Sequence, residues 1–249
     1  MTKAIAFLRT LKALFKHEQD LGKRRAKYKS QLKIFKDQLD ETALITEYPC
    51  LYDDTQVTEI EPHYTYHPAW AARVLAQTKP VKHIDISSIT HFSNIVSAFI
   101  PVEFYDYRPA NIKLSNYTSG KADLTNLHFE SNSIASLSCM HTVEHIGLGR
   151  YGDPIDVNGD KKAMKELSRV LAKNGDLLFV VPIGQPQVAF NAHRIYDYDT
   201  IINNFNALTL KEFCLIPDDF SEIGYINNPP TEMINKQKWG CGCFWFTKL

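Results

Sequence analysis

Short apolar stretches alternate with helix-period segments through the middle of the chain. The stretches with strand character are 81–86, 101–106, 119–123, 134–140 and 176–181, and helical spacing lies between some of them at 89–99 and 161–171. Two more apolar stretches, 208–216 and 242–248, need no long helix between them. Such alternation indicates right-handed crossovers in a sheet covered on both faces. We predict an α/β, doubly wound, seven-stranded, mostly parallel sheet with an antiparallel C-terminal edge strand.

The first forty residues differ from the rest in pattern and in charge. Apolar positions recur at helical spacing in 2–16 and again in 27–39, and residues 1–40 hold eleven Lys/Arg against four Asp/Glu. We predict an N-terminal basic helical arm (1–45) and one α/β domain (46–249). Two interpretations of the arm stay open. It packs on the body or on a second subunit, or it contacts an anionic membrane surface.

The connection between the arm and the first strand is irregular. His63 and His67 are four residues apart and would pair on a helix, but Pro62 and Pro68 interrupt the pattern. We predict that a helix begins at Pro68. His63, Tyr64 and Tyr66 are then packing or pocket-lid residues.

Composition excludes several classes of protein. The 249 residues balance 28 Lys/Arg against 28 Asp/Glu, and the basic arm lacks aromatic interleaving, so nucleic acid is not an expected partner. No apolar stretch approaches the roughly 20 residues of a membrane span. Five cysteines without framework spacing, and no signal-peptide pattern, favour a reduced, cytoplasmic protein. Cys241 and Cys243 have no second Cys pair or His at finger-like spacing, so we expect no metal.

Candidate chemistry is concentrated in the polar loop 141–156, which follows the apolar stretch 134–140. The loop contains two His, Glu144, Arg150, Tyr151, two Asp and three Gly, which is too polar for a core and too rich in glycine for a helix. Loops at the carboxyl ends of parallel strands form the ligand crevice of such sheets. A second polar loop, with Asn191, His193 and Arg194, follows the fifth strand at the same edge.

Three motifs, in order, resemble the class I S-adenosylmethionine-dependent methyltransferases. They are KADLTNLHFESNSI at 121–134, MHTVEHI at 140–146 and KELSRVLAKNGDLLFVVP at 165–182. The resemblance implies a Rossmann-like fold and S-adenosylmethionine as cofactor. It implies that Asp106 binds the ribose hydroxyls, that Asp123 with Leu124 contacts adenine, and that Asp85 orients the first loop. The full set of predicted cofactor-binding residues is Asp85, Ser87, Ser88, Asp106, Tyr107, Asp123, Leu124 and His141.

The first loop departs from the superfamily pattern. Glycines stand there in the superfamily so that the backbone can approach the cofactor, whereas this chain has Ser87 and Ser88. Two small residues could still admit a ligand, and their hydroxyl groups could bond its carboxylate.

A narrower resemblance covers most of residues 60–249. EHIGLGRYGDPID at 144–156, FNAHRIY at 190–196 and WGCGCF at 239–244 resemble the bacterial domain of unknown function 268 family of methyltransferase-like proteins. This resemblance implies a role in surface-polysaccharide biosynthesis.

Three hypotheses of function follow. The first is a methyltransferase acting on a sugar, nucleotide-sugar or glycan precursor, at the inner face of the membrane if the arm binds there. The second is a non-catalytic binding module, or homo-oligomer partner, whose cofactor cleft is closed. The third is a different transferase or hydrolase that uses the 141–156 loop. The predicted catalytic residues are His145 and His193 as bases, Glu144 as their orienter, Arg150 with Arg194 as binders of an anionic acceptor, and Asp153.

Overall fold

A computed structural model describes residues 2–39 and 44–249. The chain divides into two compact units, Met1–Glu59 and Ile60–Leu249. The predicted boundary at 45/46 stays a prediction.

The first unit is built on α1, a single helix over Thr2–Asp37, where two helical segments were predicted. The side chains of the predicted apolar positions Ile5 and Leu8, and residues 40–43 of the predicted connection, lie outside the described residues. Residues after the gap contact the helix through charged groups. Arg24 donates to the Leu51 carbonyl at 3.0 Å, Lys36 pairs with Glu47 at 3.1 Å, and Lys27 pairs with Asp54.

The second unit is a twisted sheet with helices on both faces. Its strands are β1 (His83–Ile86), β2 (Val102–Asp106), β3 (Tyr117–Lys121), β4 (Ile134–Met140), β5 (Leu171–Ile183), β6 (Gln187–Ala189), β7 (His193–Ile195), β8 (Thr209–Ile216), β9 (Ile226–Asn227) and β10 (Gly240–Thr247). Its helices are α2 (Pro62–Thr78), α3 (Thr90–Val96), α4 (Gly159–Val170), α5 (Tyr198–Asn204) and α6 (Thr231–Asn235), with a 3-10 turn at Val143–His145.

The strand order of the main sheet is β3-β2-β1-β4-β5-β10-β8-β9. Strands β1 to β5 pair in parallel, and β10 is antiparallel to both β5 and β8. The predicted fold class, a mostly parallel Rossmann-like sheet with an antiparallel C-terminal strand, is confirmed. That strand is not at the edge of the sheet, as predicted, but lies between β5 and β8 because it pairs with both of them. The two-residue β9 adds an eighth strand to the seven predicted.

Two apolar cores cover the two faces of the sheet. Leu137, Leu167 and Phe179 belong to one core, and Trp70, Phe104 and Val180 belong to the other. Neighbouring residues of β5, Phe179 and Val180, point to opposite cores because successive side chains of a strand alternate between faces. Both faces of this strand are thus buried, which explains its unbroken apolar run.

Helix α2 begins earlier than predicted. It starts at Pro62, not at Pro68, because Pro62 occupies the first turn, where its missing N–H costs nothing. The Glu61 carboxylate caps this end and accepts from the Tyr64 N–H at 2.6 Å. Pro68 is accommodated inside the helix. As a result His63 and His67 lie one turn apart, and both are buried.

Among the described residues, no helix combines the length and the apolar character that crossing a membrane requires.

Candidate active site

A cavity of about 730 Å³ opens at the carboxyl ends of β1, β2 and β3. Its volume falls within the usual range of roughly 300–1,000 Å³ for small-molecule sites. Six of the eight predicted cofactor-binding residues line it: Ser87, Ser88, Asp106, Tyr107, Asp123 and Leu124. The crevice expected from the strand order is therefore open in this fold.

Two carboxylates in this cavity are only half engaged by their own loops. Asp106 Oδ1 accepts from the Arg108 N–H at 2.6 Å, and Asp123 Oδ1 accepts from the Thr125 N–H at 2.8 Å and from its hydroxyl at 2.7 Å. The described hydrogen bonds leave Oδ2 of both residues unused. Each carboxylate is held in place by its turn and keeps one oxygen for a ligand's hydroxyl or amino group.

The two serines of the first loop turn their hydroxyl groups toward the protein. Ser87 is 2% exposed; its Oγ donates to Asp85 Oδ1 at 2.6 Å and accepts from the Met140 N–H at 3.1 Å. Ser88 Oγ donates to the His141 carbonyl at 3.1 Å. The predicted hydrogen bonds from these hydroxyls to a cofactor carboxylate are therefore not available in this conformation.

Asp85 does not line the cavity but lies behind Ser87. Its Oδ1 also accepts from Ser138 at 2.5 Å, while its Oδ2 has no partner among the described residues. Burial raises the pKa of this carboxyl to about 6, against the lowering effect of the two hydroxyl donors. The residue holds the first loop through Ser87, and its predicted role in orienting that loop toward a cofactor stays a prediction.

The 141–156 loop depends on glycine where the chain approaches itself. Gly147 has φ +78°, and a Cβ there would lie 2.0 Å from the Asp156 carbonyl oxygen. Asp153 organises the same turn, since its Oδ2 accepts from the Gly147 N–H at 2.8 Å and its Oδ1 from the Tyr151 N–H at 3.2 Å. Asp153 lines the large cavity with both oxygens engaged by backbone groups, which suits holding the loop better than transferring a proton.

Tyr151 lies between two guanidinium groups. The Arg108 guanidinium carbon is 4.4 Å from the ring centroid and that of Arg150 is 5.2 Å away. Such cation–π contacts keep two positive charges beside the cavities. Arg108 was missed in the sequence, where nothing distinguishes it from other surface arginines.

A second, smaller cavity of about 170 Å³ adjoins the first, and the two share Tyr64, Ser88 and Tyr151. The small cavity is lined by Glu61, His63, Tyr64, Ser88, His141, Glu144, His145, Arg150, Tyr151, Pro182, His193 and Trp239. Four of the six predicted catalytic residues, all except Asp153 and Arg194, are found here. His141, predicted to contact the cofactor, also belongs to this cavity.

Each of four histidines donates one ring N–H to an oxygen and keeps one lone pair. The acceptors are the carbonyls of Trp239 for His63 (3.0 Å), of His63 for His67 (2.6 Å) and of Ala192 for His145 (2.6 Å), and the Glu144 carboxylate for His141 (2.8 Å). Because a carbonyl can only accept, these bonds determine the tautomers of His63, His67 and His145. His145 therefore presents Nε2 as a base.

Burial sets the charge state of the small cavity. It lowers the pKa of His141 to about 3 and raises the pKa of Glu144 to about 7. The pKa of His193 is also lowered by burial, so this imidazole is neutral near pH 7. Glu144 Oε1 lies 2.8 Å from His141 Nδ1 but 3.9 Å from His145 Nε2, so it orients His141 rather than the predicted base.

Arg194 contacts neither cavity. It is 7% exposed, donates to the Ile146 carbonyl at 2.7 Å and lies 3.5 Å from Asp160. Its guanidinium ties the two polar loops together, so the predicted contact with an anionic acceptor is wrong for this residue. Arg150 is exposed and does line the small cavity.

The small cavity also contains side chains that we predicted only as packing or lid residues, and others that we did not predict as site residues. Trp239 stacks on His63 and contacts His193 with ring centroids 4.2 Å apart. Cys241 does not line the cavity, but its Sγ lies 3.5 Å from His141 Nε2. These contacts join α2, the end of β4 and β10, and no local sequence pattern connects the three.

Several solved structures of methyltransferases have a similar fold. The N-methyltransferase NodS from Bradyrhizobium japonicum WM9, in complex with S-adenosyl-L-homocysteine, gives a TM-score of 0.51 at 13% identity, covering 80% of this chain and 91% of its own. A putative sarcosine dimethylglycine methyltransferase from Galdieria sulphuraria gives 0.51 at 14% identity, with 74% and 86% covered. Geranyl diphosphate methyltransferase in complex with S-adenosylmethionine gives 0.51 at 11% identity, with 75% and 87% covered. At these identities the similarity establishes the fold.

No curated protein sequence matches the chain. One family model matches residues 80–206, just over half of the chain, and it is described as "Caenorhabditis protein of unknown function, DUF268". The expectation that this family is bacterial is wrong, because its description names Caenorhabditis. The fold is methyltransferase-like. Because the family model matches just over half of the sequence, the chain belongs to the DUF268 family.

Proposed function

We propose that the protein is an S-adenosylmethionine-dependent methyltransferase that binds its cofactor in the large cavity and its acceptor at the small one. The observation that carries the proposal is the open 730 Å³ crevice in which Asp106 and Asp123 each keep one carboxylate oxygen for a ligand. Asp106 would accept from two ribose hydroxyls and Asp123 from the adenine amino group. When bound, the cofactor supplies an electrophilic methyl group.

The small cavity supplies the groups that an acceptor hydroxyl needs. His145 Nε2 and the neutral imidazole of His193 are both placed to accept the proton that the hydroxyl loses. Arg150 offers a positive charge to an anionic acceptor, and Trp239 offers an aromatic face of the kind on which a sugar ring packs. These features support a sugar, nucleotide-sugar or glycan precursor as the acceptor.

Isothermal titration with S-adenosylmethionine and S-adenosylhomocysteine tests the cofactor site. We expect micromolar binding that falls at least about 30-fold, or 2 kcal/mol, in Asp106→Asn, which keeps one oxygen for its turn but loses the charge. Glu103→Gln, on the same strand and paired with Lys82, is the matched control and should bind normally. Absence of binding to the unmodified chain, or equal loss in both variants, would contradict the proposal.

One observation favours the second candidate, a non-catalytic binding module. The first loop carries Ser87 and Ser88, whose side chains leave a ligand less room to approach the backbone than glycines would. Their hydroxyl groups are bonded inward. If this loop blocks the ligand, the unmodified chain will not bind, and Ser88→Gly will gain S-adenosylhomocysteine binding. If the chain binds already and Ser88→Gly changes the affinity less than about threefold, this candidate is excluded.

A further inference from the structure

Two imidazoles and one thiol converge in the buried wall between β10, α2 and the end of β4. One ligand atom from each of His63, His141 and Cys241 lies within 4.8 Å of the other two, and all three residues are buried. They come from positions nearly 180 residues apart in the chain. We propose that these three side chains form a binding site for Zn²⁺.

The distance between two of the donors already fits a tetrahedral metal. Zn–N and Zn–S bonds of roughly 2.0–2.1 and 2.3 Å at the tetrahedral angle separate the two ligand atoms by about 3.6 Å. His141 Nε2 and Cys241 Sγ are 3.5 Å apart. The third donor, on His63, has to come closer by at most about 1.4 Å. Its ring stacks on that of His141 at 5.3 Å and 14°, so it also has to turn for its lone pair to point at the same ion.

The groups behind the ligands are those that metal sites use. His141 donates Nδ1–H to the Glu144 carboxylate, so its Nε2 lone pair points toward Cys241. His63 donates Nε2–H to the Trp239 carbonyl and keeps its Nδ1 lone pair. Carboxylate and carbonyl partners of this kind set the tautomer and orientation of metal-binding histidines. Glu144 Oε2 is buried without a partner among the described residues, and a nearby cation would offset that cost.

The donor set selects the class of metal. Imidazole and thiolate are borderline and soft donors that suit zinc, whereas Mg²⁺ and Ca²⁺ prefer oxygen. Three protein ligands leave the fourth tetrahedral position free, and the 170 Å³ cavity lies beside His63 and His141. Zinc sites with three protein ligands keep the fourth position for water or for an oxygen or sulfur atom of a substrate. On binding, the Cys241 thiol loses its proton to solvent and the thiolate becomes the ligand.

Zinc binding can be measured whether or not the protein transfers a methyl group, so the test measures metal directly. The full chain is stripped with a chelator, reloaded with Zn²⁺ and analysed by mass spectrometry for bound metal and by competition with a chromogenic chelator. We expect one Zn²⁺ per chain and a higher melting temperature with zinc. A chain that keeps no zinc against the competitor, or that prefers another metal, would overturn the proposal.

Single substitutions separate this cluster from the Cys241-Gly-Cys243 pair. Cys241→Ser and His141→Asn should each lower zinc affinity at least about 100-fold, and Glu144→Gln, which acts behind His141, about 10- to 100-fold. Cys243→Ser is the matched control, because this buried cysteine lies two residues along β10 and its Sγ is 4.0 Å from that of Cys241. Equal loss in the two serine variants would place the metal on the pair and refute the cluster.

A spectroscopic readout keeps the test decisive if a variant folds poorly. Cobalt(II) in place of zinc in the unmodified chain should give a thiolate-to-cobalt charge-transfer band. Cys243→Ser should keep the band and Cys241→Ser should lose it, while circular dichroism checks that both variants are folded. Cobalt bound without this band would show that no thiolate is a ligand and would overturn the proposal.

Discussion

The two neighbouring cavities each depend on one fully buried carboxyl group, but the partners of these groups differ. Asp85, behind the large cavity, is held by the hydroxyl groups of Ser87 and Ser138. Glu144, in the small cavity, is held by the His141 imidazole, with His145 nearby. Serine hydroxyl groups do not titrate near neutral pH, so they can only hold the loop in place. Imidazoles with free lone pairs can bind a proton or a metal. The contrast indicates a large cavity suited to binding and a small cavity suited to chemistry.

The largest loss of stability is expected in the 141–156 loop, where the backbone of Gly147 lies close to that of Asp156. Gly147→Ala places a Cβ 2.0 Å from the Asp156 carbonyl oxygen in a left-handed backbone conformation, so the free energy of unfolding should fall by more than about 4 kcal/mol. Gly152→Ala is the matched control, since φ is +82° but nothing lies within 4 Å, and it should cost about 1–2 kcal/mol. Denaturant unfolding measures both. Similar losses would show that strain alone, without the close contact, governs this loop.

A second prediction uses the titration of the small cavity. The pKa of Glu144 is raised from 4.5 to about 7 in the folded protein, so folding favours the protonated group and stability is lost as pH rises from about 4.5 to about 7. Across this window the unmodified chain should lose about 3 kcal/mol relative to Glu144→Gln. Denaturant unfolding of both chains over this pH range, with a chelator present, measures the difference.

The buried histidines are present in both chains, so the part of their opposite pH dependence that comes from burial cancels in that difference. Glu130→Gln, at an exposed residue, serves as the control for loss of a carboxylate elsewhere. A flat difference for Glu144→Gln would mean that the pKa of Glu144 is not raised.

The smallest loss of stability is expected at the large cavity. Ser87→Ala removes a hydroxyl that both donates to Asp85 and accepts from Met140, and should cost about 2 kcal/mol of unfolding free energy. Ser88→Ala removes one bond at an exposed residue and should cost less than about 1 kcal/mol. Thermal and denaturant unfolding compare the pair. An equal cost would indicate that Asp85 does not depend on Ser87.

Local pattern was enough for most of the fold. The strand Ile134–Met140 was predicted to the residue, because its small and apolar side chains are bounded on both sides by polar loops. The start of α2 was mistaken because a proline in a helix interior usually ends the helix, and here the cap by Glu61 and tertiary packing outweighed that cost. Asp106 and Asp123 line the large cavity as expected, because both follow parallel strands that end at one edge of the sheet.

By itself the sequence determined the order along the chain of the five parallel strands and the antiparallel C-terminal strand, the edge of the sheet at which the polar loops lie, and the loop that holds most of the polar groups. Only the tertiary structure decided what those polar groups contact. Ser87 and Ser88 turn inward because Asp85 and the backbone after β4 lie behind them. His63, His141 and Cys241 meet because β4, β5 and β10 are neighbours in the sheet and α2 packs against β10. Periodicity records burial along one element, whereas contacts between elements distant in the chain leave no local pattern to detect.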